Sequence, residues 1–195
     1  MKPIAESCLR NQQPIAEVLS GVLNNVKAVL ELGSGTGQHG VYLAQRFPHL
    51  TWQPSDLKEC LPGMRQWWQD AALGNLCEPI ELDVTSENWP TTLTYDAIFT
   101  ANTLHFVSWR IAEALLVGAA NILPLDGILC IYGPFNENGQ YTGEGNRQFD
   151  QWLKARDPES GIKEIERVED LLANFGLALK SRHQMPANNL MLVFQ

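Results

Sequence analysis

One part of the chain joins a short apolar run, a glycine-rich loop, a helix-length stretch and a second apolar run. Ala28–Leu32 is apolar apart from Glu31 and has the length of a strand, and residues 33–37 carry a glycine at every second position. Residues 41–47 have the pattern of a helix, which ends before Pro48. Because a helix between two strands places them side by side in a parallel sheet, this order predicts a βαβ unit.

The same alternation continues along the rest of the chain. The predicted strands after the first are 50–53, 79–83, 95–101, 128–132, 177–181 and 190–194. The predicted helices are one with Pro14 in its first turn, 61–73, 112–123, a short one at 149–153, and 165–175. The last two strands flank a turn-rich segment, which indicates an antiparallel hairpin. We therefore predict an α/β fold with a doubly wound, Rossmann-like sheet, mostly parallel with a C-terminal antiparallel hairpin.

Composition and charge narrow the class of protein. The chain has 195 residues, 45% of them hydrophobic, which suits one domain with a substantial core. Its 22 acidic residues against 14 basic ones give a net charge of −8, with no run of basic residues, so we expect no nucleic-acid partner. No apolar stretch has the length of a membrane span, and none after Met1 resembles a signal peptide. Four scattered cysteines indicate reduced thiols, and we expect a cytoplasmic protein.

The loop after the first strand is a candidate ligand-binding site. Glycines at 33, 35 and 37 let the backbone turn tightly and let a ligand approach the main chain. Asp56 ends the second strand 19 residues after Gly37, close to the spacing at which a carboxylate reaches ribose hydroxyls in dinucleotide folds. A purely structural turn and a helix-capping role for Asp56 are the alternatives.

Glu31 favours one cofactor over another. A dinucleotide site commonly reads Gly-x-Gly-x-x-Gly and holds a pyrophosphate at the helix N-terminus, where a nearby carboxylate is unfavourable. S-adenosylmethionine has an ammonium and a sulfonium and no phosphate. We therefore expect S-adenosylmethionine rather than NAD, with Glu31 acting indirectly near the ammonium; a solvated charge at the strand end is the alternative.

Polar residues also follow the third and fourth predicted strands. Asp83 can accept a hydrogen bond from an adenine amino group or can simply cap the strand end, and Ala101 and Asn102 end the next strand. Since ligands of open α/β sheets lie beyond the carboxyl ends of the strands, these residues are expected to share one crevice. The predicted cofactor-binding residues are Glu31, Gly33, Ser34, Gly35, Thr36, Gly37, His39, Asp56, Leu57, Asp83, Val84, Ala101 and Asn102.

Long sequence strings support a family resemblance. The strings lie at 10–15, 32–39, 50–56, 101–105, 132–135, 149–150, 156–158 and 185–190. On these strings the chain resembles the class I S-adenosylmethionine-dependent methyltransferases, and in particular the methyltransferase-like protein 26 family, over nearly its whole length. The resemblance implies the seven-stranded methyltransferase sheet and cofactor binding, but it implies no substrate.

His105 is the candidate catalytic residue. It comes three residues after Asn102, at the mouth of the expected crevice, and the ordinary pKa of histidine suits a general base. A packing role is the alternative, because methyl transfer often needs no strong base. No group of His, Cys and carboxylates has metal-ligand spacing, so no metal is expected.

Two segments are expected on the acceptor side of a single domain, 1–195. Residues 1–25 would form an N-terminal helix and lid, and residues 133–163 a substrate-side insertion beginning with a loop at 133–145. The candidate pocket residues are Arg10, Asn11, Tyr132, Asn136, Tyr141 and Asn188. For the first two an N-cap with an exposed arginine is the alternative, and for Asn188 an ordinary turn.

Together these observations predict a methyltransferase that transfers a methyl group from S-adenosylmethionine to an unidentified small-molecule acceptor. The negative net charge favours a neutral or cationic acceptor over a phosphorylated one. One alternative is a non-catalytic S-adenosylmethionine-binding module. The other is an NAD-dependent oxidoreductase, although the chain has no Tyr-x-x-x-Lys motif.

Overall fold

The computed structural model describes residues 2–87, 89 and 93–195, in which helices alternate with strands. In this part of the chain the α-helices are α1 (Glu6–Val22), α2 (Gln38–Arg46), α3 (Leu61–Ala71), α4 (Trp109–Ile122), α5 (Glu144–Arg156) and α6 (Ile165–Ala173). The strands are β1 (Ala28–Leu32), β2 (Thr51–Asp56), β3 (Ile80–Glu81), β4 (Ala97–Ala101), β5 (Ile128–Glu137), β6 (Gln140–Tyr141), β7 (Lys163–Glu164), β8 (Leu179–Met185) and β9 (Asn189–Phe194). None of the helices described has the length and apolar character needed to cross a bilayer.

The main sheet has the strand order β3-β2-β1-β4-β5-β9-β8. Strands β1 to β5 pair in parallel, and β9 is antiparallel to both of its neighbours. The predicted Rossmann-like fold with a C-terminal antiparallel hairpin is therefore confirmed. Because β1 lies between β2 and β4, the order reverses beside it, and such a reversal opens a ligand crevice beyond the carboxyl ends of the strands.

Helices cover both faces of this sheet. Successive side chains of a strand point to opposite faces, so Val29 packs in the layer with α1 and α2, whereas Leu30 packs in the layer with α4 and α6. Both side chains are fully buried. Strands buried on both faces read as continuous apolar runs, which is why β1 could be recognised in the sequence.

The first helix begins earlier than the sequence predicts. The expected place of Pro14 in its first turn is wrong, because α1 begins at Glu6 and Pro14 lies in its interior. A proline inside a helix removes a backbone hydrogen bond and costs about 3 kcal/mol. Asn11, Ile15 and Leu19 are buried on one face of α1, and we attribute the persistence of the helix to their tertiary packing.

The fifth strand extends beyond its predicted end at Tyr132. Residues 133–145 are not a loop, since they contain the end of β5, all of β6 and the beginning of α5. Gly133 and Pro134 are typical turn residues, but here both pair with β9. The short helix predicted at 149–153 is likewise the middle of the longer α5.

Candidate functional site

The glycine loop lies between β1 and α2, at the carboxyl edge of the sheet. Gly33, Gly35 and Gly37 have φ angles of 66°, 58° and 85°, in the left-handed region that favours glycine. A Cβ at Gly33 would lie 2.7 Å from Oγ1 of Thr103, whereas a Cβ at Gly35 would meet no heavy atom within 4 Å. The loop is therefore packed against the residues that follow β4 at one end and open at Gly35.

Asp56, the last residue of β2, contacts this loop directly. Its Oδ2 accepts a hydrogen bond from the amide of Gly35 at 2.6 Å, and its Oδ1 accepts one from the amide of Leu57 at 2.7 Å. An ionised carboxylate has about four acceptor positions, so this one can still accept hydrogen bonds from a ligand. The structure thus brings Asp56, Leu57 and the glycine loop together, as the spacing predicts.

Glu31 is buried below the loop instead of facing solvent. Its Oε2 accepts a hydrogen bond from Nε1 of Trp52 at 2.8 Å. Burial raises the pKa of Glu31 to about 7, and the hydrogen bonds from Trp52 and Ser34 oppose that shift. The alternative of a solvated charge is wrong, because the side chain is out of contact with water.

The residues after β3 and β4 lie at the same edge of the sheet. Asp83 is exposed and accepts hydrogen bonds from the amide and the hydroxyl of Thr85, at 2.9 and 2.7 Å, and these lower its pKa. Val84 follows it and is partly buried. Asn102, which follows Ala101, has a φ of 56°, and its backbone N–H donates to the carbonyl oxygen of Tyr132 at 2.9 Å.

A second group of predicted residues connects the loop with α1. His39 is buried, with its Nε2 2.8 Å from Oδ1 of Asn11, and burial lowers its pKa to about 4. Gln38 Oε1 accepts hydrogen bonds from the hydroxyl of Thr36 at 3.0 Å and the amide of Ala5 at 2.5 Å. The Nε2 of Gln38 is buried without a partner in the described part of the chain, so it is a donor that a ligand can use.

A cavity of about 590 Å³ adjoins the end of β4, where Asn102 lies. It is half-open and is bordered by α1, the 3₁₀ helix Leu104–Phe106, β5, α5 and the turn between β8 and β9. Its lining residues are Ser7, Arg10, Asn11, Asn102, His105, Phe106, Tyr132, Pro134, Gly145, Asn146, Phe149, Trp152, Pro186, Ala187, Asn188 and Asn189. Four of the six predicted pocket residues line it, namely Arg10, Asn11, Tyr132 and Asn188.

The other two predicted pocket residues, Asn136 and Tyr141, are not among the lining residues of this cavity. The hydroxyl of Tyr141 donates to Asp150 Oδ2 at 2.7 Å. Asp150 also pairs with Lys154 at 2.6 Å and accepts from the amide of Ile162 at 2.7 Å. Tyr141 therefore contributes to the anchoring of α5.

His105 lies in the wall of the cavity, between aromatic rings. Its ring centre is 4.5 Å from that of Phe106 and 5.2 Å from that of Phe149. Burial lowers the pKa of His105 to about 3, and the nearby charge of Lys163 contributes. Lys163 donates to the carbonyl oxygen of Val107 at 2.6 Å, which fixes the chain just after the 3₁₀ helix. The surroundings of His105 therefore do not leave it with the ordinary histidine pKa that was expected of a general base.

Sequence reasoning missed the aromatic residues of the wall, Phe106, Phe149 and Trp152. The last two were assigned to a short helix in an insertion, and neither residue type marks a binding site at such a position. Their spacing of three residues places them on one helical face, which is the signal that could have identified them.

Comparison with known proteins gives both a family and a set of similar structures. The model of the family DUF938, described as a protein of unknown function, matches residues 2–195. An O-methyltransferase family protein from Burkholderia thailandensis is 21% identical, with a TM-score of 0.84 over 97% of this chain and 57% of its own. Human N-acetylserotonin methyltransferase in complex with SAM is 14% identical, with a TM-score of 0.82 over 97% of this chain and 52% of its own.

A third similar structure was solved with a bound ligand. It is an O-methyltransferase family 2 protein from Planctomyces limnophilus in complex with apigenin, 16% identical, with a TM-score of 0.76 over 94% of this chain and 61% of its own. The present chain thus spans little more than half the length of these proteins. At such low sequence identity these structures establish the fold of the present chain and nothing beyond it.

Proposed function

We propose that this chain, which belongs to the DUF938 family, is an S-adenosylmethionine-dependent methyltransferase that acts on a small molecule. One observation carries the proposal: the open glycine loop and the Asp56 carboxylate lie at the same sheet edge as a large cavity, and of two consecutive residues after β4 Asn102 lines the cavity while Thr103 packs against Gly33 of the loop. A donor at the loop and an acceptor in the cavity would then be neighbours. The finer resemblance to the methyltransferase-like protein 26 family is part of the same proposal.

The residues around the loop fit this cofactor. Asp56 has acceptor capacity left for ribose hydroxyls, and the open face at Gly35 leaves room for a ligand against the backbone. The unpaired Nε2 of Gln38 offers a donor for a carboxylate. Asp83 and Val84 follow the strand next to β2, within reach of a base attached to a ribose at Asp56. Each of these groups matches a different part of S-adenosylmethionine.

When held by these residues, the cofactor would supply an activated methyl group, carried on its sulfonium, for transfer to a nucleophilic atom of the acceptor. The protein's contribution is mainly positioning, since orientation alone can lower a barrier by several kcal/mol, about 7 in favourable cases. The aromatic residues form one wall of the cavity. The 1–25 segment and the 133–163 segment, which supply α1 and α5, would close it.

His105 acts in this proposal as a neutral positioning residue. With a pKa of about 3 its ring is uncharged at neutral pH, so it accepts a hydrogen bond from an acceptor hydroxyl without becoming a stable proton carrier. Its rigid setting between Phe106 and Phe149 fixes the direction of that hydrogen bond.

Calorimetric titration with S-adenosylmethionine, S-adenosylhomocysteine and NADH tests the proposal. We expect micromolar binding of the first two, weakened at least tenfold in Asp56→Asn. Asp126→Asn, which removes a carboxylate near the opposite edge of the sheet, is the matched control. Binding of NADH alone would overturn the proposal in favour of an oxidoreductase. Tight cofactor binding without methyl transfer to any acceptor would favour a binding module.

A further inference from the structure

The charge around the cavity differs from that of the whole chain. Although the net charge is −8, the charged side chain that lines the cavity is Arg10, and its described lining residues include no carboxylate. A second arginine, Arg156, lies with its guanidinium 5.9 Å from the ring centres of both Phe106 and Trp152. Within the described residues neither arginine forms an ion pair. Arg10 therefore lines the cavity, and Arg156 lies beside its aromatic wall, where it contacts Phe106 and Trp152.

The wall beside Arg156 is aromatic. Phe149 and Trp152 stack with ring centres 5.8 Å apart and an angle of 12° between planes. Phe106 meets Phe149 edge-on at 6.2 Å. About half of the Trp152 surface is exposed, so its ring remains available to a ligand. Such surfaces bind planar rings by stacking.

Two polar groups at the cavity are free to orient a ligand. The side-chain amides of Asn102 and Asn188 make no hydrogen bond to the described part of the protein, whereas Asn11 and Asn146 are engaged. Asn102 precedes Thr103, which packs against Gly33 of the glycine loop, and Asn188 lies in the turn between β8 and β9. The cavity is thus lined by Arg10 and by two free neutral amides, and Arg156 lies beside its aromatic wall.

We infer that the acceptor is a planar aromatic molecule that carries a carboxylate. Its ring stacks on the Phe149–Trp152 pair, its carboxylate pairs with Arg10 and Arg156, and its nucleophilic hydroxyl points towards Asn102. The inference rests on the proposed function, and it replaces the neutral or cationic acceptor expected from net charge. The charge of the lining favours an anion, because a protonated amine in the cavity would meet Arg10 and no lining carboxylate.

Three naphthalene probes that differ in charge test this inference. They are a hydroxynaphthoate, a naphthol and an aminomethylnaphthol, each titrated calorimetrically with and without saturating S-adenosylhomocysteine. We expect the hydroxynaphthoate to bind about tenfold more tightly than the naphthol, as an added charge-assisted contact would give, and the aminomethylnaphthol to bind most weakly. Equal binding of the first two, strongest binding of the amine, or no binding at millimolar concentration would overturn the inference.

Substitutions separate charge from stacking. Arg10→Gln and Arg156→Gln are expected to weaken the hydroxynaphthoate several-fold and leave the naphthol unchanged. Trp152→Leu is expected to weaken both probes equally. Arg110→Gln, which removes an exposed arginine of α4, is the control and is expected to change neither. If Arg10→Gln and Arg156→Gln both bind the hydroxynaphthoate like the wild type, the inference fails. Charge-selective probe binding without any S-adenosylmethionine binding would reject the proposed function alone.

Discussion

Glu31 places a carboxylate in the interior, where a hydrogen bond from Trp52 replaces part of the water that it loses. The sequence shows an acidic residue before a glycine loop, but it does not show the indole that covers it, because Trp52 lies on the neighbouring strand. Asp56 and Gly35 are likewise far apart in the sequence. The spacing of Asp56 therefore indicates a site residue, but it does not show that the Gly35 amide donates to its carboxylate.

We predict that Glu31 makes the stability of the protein depend on pH. Its pKa is raised from 4.5 to about 7, so the folded state binds the extra proton between these values. The resulting stabilisation is fully present below pH 4.5 and is lost as the pH rises through 7. From about pH 4 to about pH 8, the unfolding free energy of Glu31→Gln should therefore gain about 3 kcal/mol relative to the wild type.

Urea denaturation without cofactor measures this difference. Glu113→Gln, which changes an exposed carboxylate of α4, should run parallel to the wild type. Parallel curves for Glu31→Gln as well would contradict the prediction.

His105 gives a prediction for the pH dependence of catalysis. Because its pKa is lowered to about 3, it stays neutral from about pH 5 to about pH 9, and the rate profile should contain no inflection due to this residue. His105→Gln should retain cofactor affinity and the shape of the profile while kcat falls about tenfold. An inflection near the ordinary histidine pKa that disappears in the variant would show that His105 titrates as a base.

At the scale of elements, α1 closes one side of the cavity, and α3 holds the chain that precedes it. Nε1 of Trp67 donates to the carbonyl oxygen of Pro3 at 2.7 Å, and Lys2 pairs with Asp70 at 2.9 Å. The sequence indicated helices in both places but could not show that the N-terminal segment packs on α3. Contacts between segments that are far apart in the sequence leave no periodic pattern in it from which they could be predicted.

We predict that Trp67→Phe loosens this N-terminal segment. The substitution keeps an aromatic ring but removes the donor, a loss of about 1 kcal/mol, so amides 5–10 should exchange with solvent about fivefold faster. Trp68→Phe is the control, since its indole donates to the carbonyl oxygen of Leu76 instead. Equal exchange in the two variants would mean that the Trp67 hydrogen bond does not hold the segment.

For the whole molecule, the sheet joins two apolar layers into one unit. Leu19 lies in the layer with α1, and Leu172 in the layer with α6; both are fully buried. Leu19→Ala and Leu172→Ala should each cost about 2–5 kcal/mol and each keep a single unfolding transition, because both layers pack on β1, β4 and β5. Thermal unfolding followed by far-UV and near-UV circular dichroism checks this, and separated transitions would contradict it.

The positions of the central strands were predictable because buried parallel strands are mostly apolar and are bounded by glycines, prolines and acidic residues. The extension of β5 was not, since Gly133 and Pro134 read locally as a turn and are held extended only by β9. Asn136 and Tyr141 were placed in the pocket through the same assumed loop. Because this segment is mostly strand, Asn136 lies on β5 and Tyr141 on β6, and neither residue lines the cavity.

The position of β9 between β5 and β8 has a consequence for biosynthesis. Strand β9, residues 189–194, lies between β5 and β8 in the sheet. These two strands therefore cannot become part of one hydrogen-bonded sheet before this segment has left the ribosome. Until then a nascent chain presents the open edge of β5 and a half-covered apolar layer, which are features that promote aggregation. Chaperone demand during translation should therefore fall once β9 has emerged and paired with β5.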